Sequence, residues 1–296
     1  MKVICNQCPR RCGAERDRER GLGVCACSSL PTVVRAAPHF GEEPCLTGTR
    51  GAGTIFFSGC NLKCVYCQNV EISRGRVGTP VTVADLRSMM LRLRDQGVHN
   101  IDLVTPTHFT SVIREALTGL ELGIPVVWNS SGYENVEELK TLEGLVQVYM
   151  PDYKYADSAL AGKYSAAPDY PQVAAAAIKE MFRQVGAFCM DEDGLLQKGV
   201  LIRHLILPGC VDNSMDVIDF VADEFPRGSV LFSLMSQYTP MPGLDDFPQL
   251  QRRVTAEEND LLCHYMAQRH IETGYWQENA AATRDMIPDF DGTGVG

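Results

Sequence analysis

Nowhere in the 296 residues does an apolar run approach the roughly eighteen that a membrane-spanning helix requires. The first ten residues, MKVICNQCPR, lack the apolar core of a signal peptide. Basic charge is also short: 27 Lys and Arg stand against 37 Asp and Glu, a net charge of −10. A surface of that sign offers phosphate backbones no electrostatic attraction, so neither nucleic acid nor membrane is expected as a partner. These shortfalls lead to a cytoplasmic location as the expectation. With 45% apolar and 22% charged residues the chain reads as globular, long enough for two average domains or one α/β barrel with an appendage.

Cysteine is missing from residues 68 to 188, yet nine of the twelve fall within the first 67. A disulfide scaffold belongs to short secreted chains without a core. In an intracellular chain of this length, clustered cysteines point instead to metal ligation or redox chemistry. The first fifty residues carry Arg10, Arg11, Arg16, Arg18 and Arg20 and little periodicity, so they read as an irregular module folded around something other than apolar side chains.

From Thr54 onward the pattern changes. Short β-branched and aromatic runs over 54–59, 101–105, 125–129, 146–150, 201–207 and 230–234 read as strands. Between them, Thr82 as N-cap, an apolar face of Leu86, Met89, Met90 and Leu93, and Gly97 beyond the end mark a helix over 82–96. Further helices are expected over 110–122, 135–142, 171–185, 214–224 and 255–270. Six strands each followed by a helix predict a parallel sheet with right-handed crossovers. Six units fall short of a closed eightfold barrel, so a partial (β/α)6 barrel is expected over 51–296, with 1–50 as a Cys-rich extension. An open doubly wound sheet is the alternative. In both, ligands gather beyond the strand C-termini.

Directly after the first strand stands Gly59-Cys60-Asn61-Leu62-Lys63-Cys64-Val65-Tyr66-Cys67-Gln68-Asn69. Three thiolates in a Cys-x3-Cys-x2-Cys array can hold a [4Fe–4S] cluster by three irons and leave the fourth open to a ligand. Structural zinc would want a fourth protein donor, and no His or Cys follows within twenty residues.

The array, its aromatic Tyr66 and its place after the first strand resemble the signature of the radical SAM enzymes, from Thr54 to about Tyr238. That resemblance implies a partial barrel whose cluster binds S-adenosylmethionine (SAM) at the open iron. One electron then splits the sulfonium to methionine and a 5′-deoxyadenosyl radical, which abstracts hydrogen from a substrate. It also implies a reductant partner such as flavodoxin or ferredoxin. Gly53 to Cys64 and Cys8-Pro9-Arg10-Arg11-Cys12-Gly13 resemble more closely the pyruvate formate-lyase activating enzymes, in particular their PflX-like group. The substrate so implied is a glycine of a partner glycyl-radical enzyme.

If SAM lies across the strand ends, Tyr66 and Asn69 of the cluster loop are candidate contacts. After the second strand the Gly-Gly-Glu-like stretch of many radical SAM enzymes is replaced by Thr105-Pro106-Thr107-His108, leaving Thr105 and Thr107 to meet the amino group. Asn129 and Ser130 follow the third strand. Asp152-Tyr153-Lys154, similar to the Asp-x-Lys of the activating enzymes, puts both charged side chains on one face. They would meet the cofactor or pair with one another. Arg203 and His204 alternate across the fifth strand, and the fork-shaped guanidinium suits the SAM carboxylate. Gln237 follows the sixth strand as a candidate adenine contact.

The N-terminal module supplies Cys5, Cys8 and Cys12 with Cys25 or Cys27, enough for a tetrathiolate centre holding zinc or an auxiliary iron–sulfur cluster. Such a metal would supply folding energy. Simpler pyruvate formate-lyase activating enzymes lack this module. Elsewhere, Gly48-x2-Gly-x-Gly53 reads as a turn. His39, His99, His264 and His270 read as packing or surface residues. Cys189, Cys210 and Cys263 are isolated and read as inert, with a place facing the site as the alternative for Cys210, which follows the fifth strand. The tail 288–296 is expected to be disordered or to fold over the site mouth. Three functions stand: an activating enzyme, radical modification of a peptide or small molecule, and a non-catalytic iron–sulfur electron carrier.

Overall fold

Alternation of two apolar periods, two for strands and about 3.6 for helices, becomes a parallel sheet with helices on its outer face. The computed structural model describes residues 3–17, 21–75, 77–276 and 288–296. A hairpin of β1 (Val3–Cys5) and β2 (Ala14–Arg16) leads to β3 (Thr32–His39), α1 (Pro44–Thr47) and β4 (Ala52–Phe57). The chain continues through α2 (Val70–Ser73), β5 (Thr79–Pro80), α3 (Val83–Asp95), β6 (Ile101–Val104), α4 (Thr110–Leu117) and β7 (Val126–Ser130). Then come α5 (Val136–Lys140), β8 (Val148–Pro151), α6 (Ser158–Ser165), α7 (Tyr170–Val185) and β9 (Cys189–Met190). The last elements are β10 (Leu196–Leu205), α8 (Val211–Glu224), β11 (Leu231–Met235), α9 (Ala256–Gln268) and β12 (Gly274–Trp276).

The six expected strands are β4, β6, β7, β8, β10 and β11, parallel and in that spatial order. A seventh parallel strand, β12, extends one edge, and antiparallel β3 with β5 extends the other, so the described sheet stays open. This is the partial barrel, not a closed one. The helix α3 shows why local sequence sufficed: Thr82 and Asp85 cap each other reciprocally, and Leu86, Met89, Met90 and Leu93 are all buried. No described helix is long and apolar enough to cross a membrane.

The N-terminal fifty residues are not the irregular module expected. β3 runs alongside β4 over six residue pairs, so the sheet crosses the expected boundary at residue 50. Cys45 and Leu46 of α1 pack into the concave side of the sheet against Val127, Val148, Met150, Leu201 and Leu231. Neighbours of these residues, such as Trp128, Tyr149 and Ile202, face the helices. The tail, expected to be disordered, instead takes the free edge of β3: Ala36 N–H donates to the Thr293 carbonyl (2.9 Å) and Gly292 N–H to that of Val34 (3.1 Å). Phe290 meets Phe56 edge-on at 5.4 Å and Val295 is buried. Unpaired strand edges attract backbone, and this one is covered by its own chain.

Leu46 has no exposed surface whereas Leu22 is 81% exposed, so the two separate burial from chain position. Leu46→Ala is expected to lower the unfolding free energy by about 2–4 kcal/mol, and Leu22→Ala by less than about 0.5 kcal/mol. Denaturant titration checks this; equal losses would show that α1 does not close the barrel floor.

Candidate active site

One cleft lies at the C-terminal edge of β4, β6, β7, β8, β10 and β11, with about 1330 Å³ of unfilled space including its mouth. Cys60, Cys64 and Cys67 line one side, and Asn129, Asp152, Lys154 and Arg203 line the other. The cysteine loop is held from three directions. Asn61 Nδ2 donates to the Tyr133 carbonyl (2.8 Å), and Val65 N–H to that of Tyr164 in α6 (2.9 Å). Arg10 of the N-terminal module donates through Nε to the Asn61 carbonyl (2.8 Å) and through Nη2 to that of Leu62 (3.3 Å). Just before the loop, Gly59 has φ +82°, and a Cβ there would lie 2.1 Å from Cys27 Sγ, so only glycine lets the module approach this closely.

Burial pushes the Cys60 thiol up and that of Cys67 up to about 12. Such thiols ionise only when a metal takes the proton's place. In a cubane each cysteine takes a different iron. Three sulfurs spread along one cleft wall therefore need not converge on a single ion, and among the described residues no such single-ion group of His, Cys, Asp or Glu exists. The opposite wall carries polar atoms without partners, Ser131 Oγ and Gln237 Oε1, as a polar cofactor would require. The residues present therefore fit both a cluster and SAM.

Residues at the strand ends and in the loop before α1 form a charged layer in the cleft lining. Arg203 donates through Nε to Asp152 (3.0 Å), through Nη1 to Glu42 (2.9 Å) and through Nη2 to Asn129 Oδ1 (2.8 Å). Lys154 Nζ lies 2.5 Å from Asp152 Oδ2. Burial raises the carboxyls of Glu42 and Glu43, and that of Asp102, in β6, goes well above the usual range because burial and the Glu42 charge act together. Asp152 is the exception: burial works against its charge, but Lys154 and Arg203 hold it below the ordinary carboxylate value. Four carboxylates thus share two cations.

Most of the expected residues meet here. Tyr66, Asn69, Thr105, Asn129, Ser130, Asp152, Lys154, Arg203 and Gln237 all line the cleft. Asp152 and Lys154 pair with one another while doing so. Thr105 holds φ +60°, a left-handed conformation costly for a β-branched residue, and so marks strain at the strand end. His204 faces away, donating to the Tyr153 carbonyl (2.7 Å) and accepting from Ser214 (2.8 Å). Cys210 is buried but is not among the residues lining the cleft.

One expectation is corrected. Thr107 does not face the cleft; its hydroxyl donates to Glu134 (2.7 Å), which also accepts from Trp128 Nε1 (3.1 Å), so a buried acid captures it. The thiols expected to hold zinc or an auxiliary cluster, Cys5, Cys8 and Cys12 with Cys25 or Cys27, lie near one another, since Cys5, Cys12 and Cys25 all act on the charge of Cys8. Cys12 is exposed, and burial pushes Cys8 up to about 12. Cys25 is drawn to about 4 by a hydrogen bond from Cys27, with the Arg16 and His108 charges helping. It receives Arg16 Nη2 at 3.2 Å, and Arg16 Nη1 also donates to the His108 carbonyl (2.6 Å). Glu42, Glu43 and Glu134 went unnoticed in the sequence, since they lie in loops without periodicity. The only cue was the pair of acids before Pro44.

Arg203→Ala leaves Glu42 and Asp152 facing a buried space with Lys154 as the nearest cation. The expected loss is about 3–5 kcal/mol at pH 7, smaller near pH 4 where carboxylates protonate. Denaturation at the two pH values checks it, and a pH-independent loss would disprove the charged layer's role. Burial raises Glu134 to about 7 against hydrogen bonds from Thr107, Trp128 and Ser130. The folded state therefore holds its proton more tightly than the unfolded state. Its contribution to stability is full below about pH 4.5, declines as pH rises, and is gone above about pH 7. Glu134→Gln, which keeps the accepting oxygen, should abolish a decline of up to about 3 kcal/mol between pH 4.5 and 7. Parallel stability profiles for variant and wild type would refute this.

Residues 47–183 match the 4Fe-4S single cluster domain family. The uncharacterized protein MJ0674 of Methanocaldococcus jannaschii is 31% identical over 264 residues, covering 86% of this chain and 71% of that one. Streptococcus suis SuiB bound to S-adenosylmethionine shares the fold at 16% identity and a TM-score of 0.51, over 74% of this chain and 48% of SuiB. SuiB bound to its precursor peptide SuiA aligns at 15% identity and a TM-score of 0.52, over 74% and 47%. The chain spans about half the length of the SuiB chains it matches. The chain therefore belongs to one family with the M. jannaschii protein, and its partial barrel has the fold of the SuiB structures.

Proposed function

We propose that this chain holds a [4Fe–4S] cluster on Cys60, Cys64 and Cys67, cleaves SAM reductively there, and removes hydrogen from a glycine of a partner glycyl-radical enzyme. The observation that carries the reading is that the three cysteines share one cleft with Asn129, Asp152, Lys154 and Arg203. When bound, cluster and SAM supply one-electron cleavage and a hydrogen-abstracting radical. The chain's own part is to bind, orient and shield. Lys154, with the two N–H groups that Arg203 has left after its three partners, meets a carboxylate. Asp152 and Glu42 accept from an ammonium. Asn129, Ser130, Ser131 and Gln237 offer hydrogen bonds to ribose or base, and Asn69 stands at the start of α2 beside them. Thr105 presents backbone or hydroxyl oxygen at the strained end of β6. Tyr66, Phe56, Leu205 and Met235 give the cleft apolar walls that limit water. Flavodoxin or ferredoxin fits as electron donor.

The open sheet supports a polypeptide substrate, because a side entrance admits an extended segment. A second reading, radical modification of a peptide or small molecule, is favoured by the N-terminal module, which simple activating enzymes lack and which here reaches the cluster loop through Arg10.

Replacing Cys60, Cys64 and Cys67 together by Ala should remove 5′-deoxyadenosine formation from anaerobically reconstituted protein while the far-UV spectrum stays native. Undiminished formation would end the proposal, and a wild type that forms none under strong reductant would favour an electron carrier. A glycyl-radical EPR signal in a mixed candidate partner separates the two enzymatic readings. Iron retained by the triple variant would mark an auxiliary cluster on the N-terminal thiols.

A further inference from the structure

Ser165 ends α6 and is 3% exposed. Its hydroxyl donates to Cys64 Sγ at 3.1 Å and shares a 2.8 Å hydrogen bond with the Tyr155 hydroxyl. One O–H cannot serve both, so with Ser165 donating to sulfur, Tyr155 donates to Ser165. The result is a directed line of hydroxyls, Tyr155 to Ser165 to Cys64, that ends on the cysteine loop.

Everything around the line holds it in place. The Tyr66 and Tyr155 rings are edge-on at 6.4 Å, and Tyr155 meets Tyr164 at 6.5 Å and Tyr170 at 5.3 Å. Tyr155 has no exposed surface, so no solvent replaces its donation. Arg10 Nη2 donates to the Ser165 carbonyl (2.7 Å) and also grips Leu62, which fixes the end of α6 against the cysteine loop. Cys60, by comparison, receives only a longer backbone contact, Leu62 N–H to Sγ at 3.4 Å.

We infer that Ser165, oriented by Tyr155, is a positioning residue that sets the reduction potential of the cluster through the Cys64 sulfur. The inference rests on the cluster reading proposed above. One-electron reduction by an external donor adds one negative charge to the cluster and its thiolates. An O–H dipole aimed at a thiolate stabilises that added charge, so it raises the potential and makes reduction easier. A buried donor is the effective kind, because low surrounding polarity strengthens each bond in a chain.

The test is an EPR-monitored redox titration of reconstituted protein without SAM, with iron and sulfide counted per chain. Ser165→Ala should keep the cluster but show about a fivefold lower ratio of reduced to oxidised cluster at a given poise. A tenfold change corresponds to about 59 mV for a one-electron couple. Tyr155→Phe should move the ratio in the same direction by less, and Ser165→Thr, which retains the hydroxyl, should restore most of it. A wild type with a full cluster and a ratio unmoved in Ser165→Ala overturns this inference alone. If Ser165→Ala loses its cluster, an unmoved ratio in Tyr155→Phe overturns it equally. A wild type that takes up no cluster overturns the proposed function and this inference with it.

Discussion

Arg203 is the interaction on which the site depends. One buried guanidinium ties an acid from the N-terminal segment (Glu42), an amide from β7 (Asn129) and an acid from β8 (Asp152) to β10. Its planar fork meets three acceptors at once, which a lysine ammonium on a flexible stem would not do with the same geometry. Because these acceptors come from three separate elements, the cleft wall is only as well defined as the packing that brings them together. The charged layer sits directly on the apolar plug formed by Cys45 and Leu46, so the barrel floor and the cofactor-facing wall form one continuous assembly.

The N-terminal module takes its meaning from that assembly. The described part of it reaches inward at three places. Arg10 clasps the cysteine loop and the end of α6, Cys27 packs against Gly59, and Glu42 enters the charged layer. Arg16 adds a buried positive charge between Cys25 and the ring of Phe109, 5.4 Å from its centroid. A segment poor in apolar residues can be ordered this way because its polar groups are satisfied by a body that is already packed.

Much of this was legible in the chain. The strand positions followed from apolar runs, and the inward and outward alternation along β10 put Arg203 and His204 on opposite sides before any coordinates were known. The cysteine spacing singled out a loop that lines the cleft, and the rule that ligands gather at strand C-termini located the cleft itself. What escaped was the partnership of distant loops. Thr107 looked like a cleft residue because it follows β6, but Glu134, 27 positions on, hydrogen-bonds it away. The tail looked disordered because it lacks periodicity, and it is held by the open edge of β3 through backbone bonds that leave no pattern in side chains.

The amino-acid order alone determined the elements, their succession and the three thiols on one short loop, since these depend on neighbours within a few residues. Which carboxylates would share the two buried cations, which hydroxyl would point at Cys64 and what would cover the sheet edge were decided only on folding. Those contacts join residues many tens of positions apart, and their energy depends on burial and direction, neither of which exists until the chain has closed on itself.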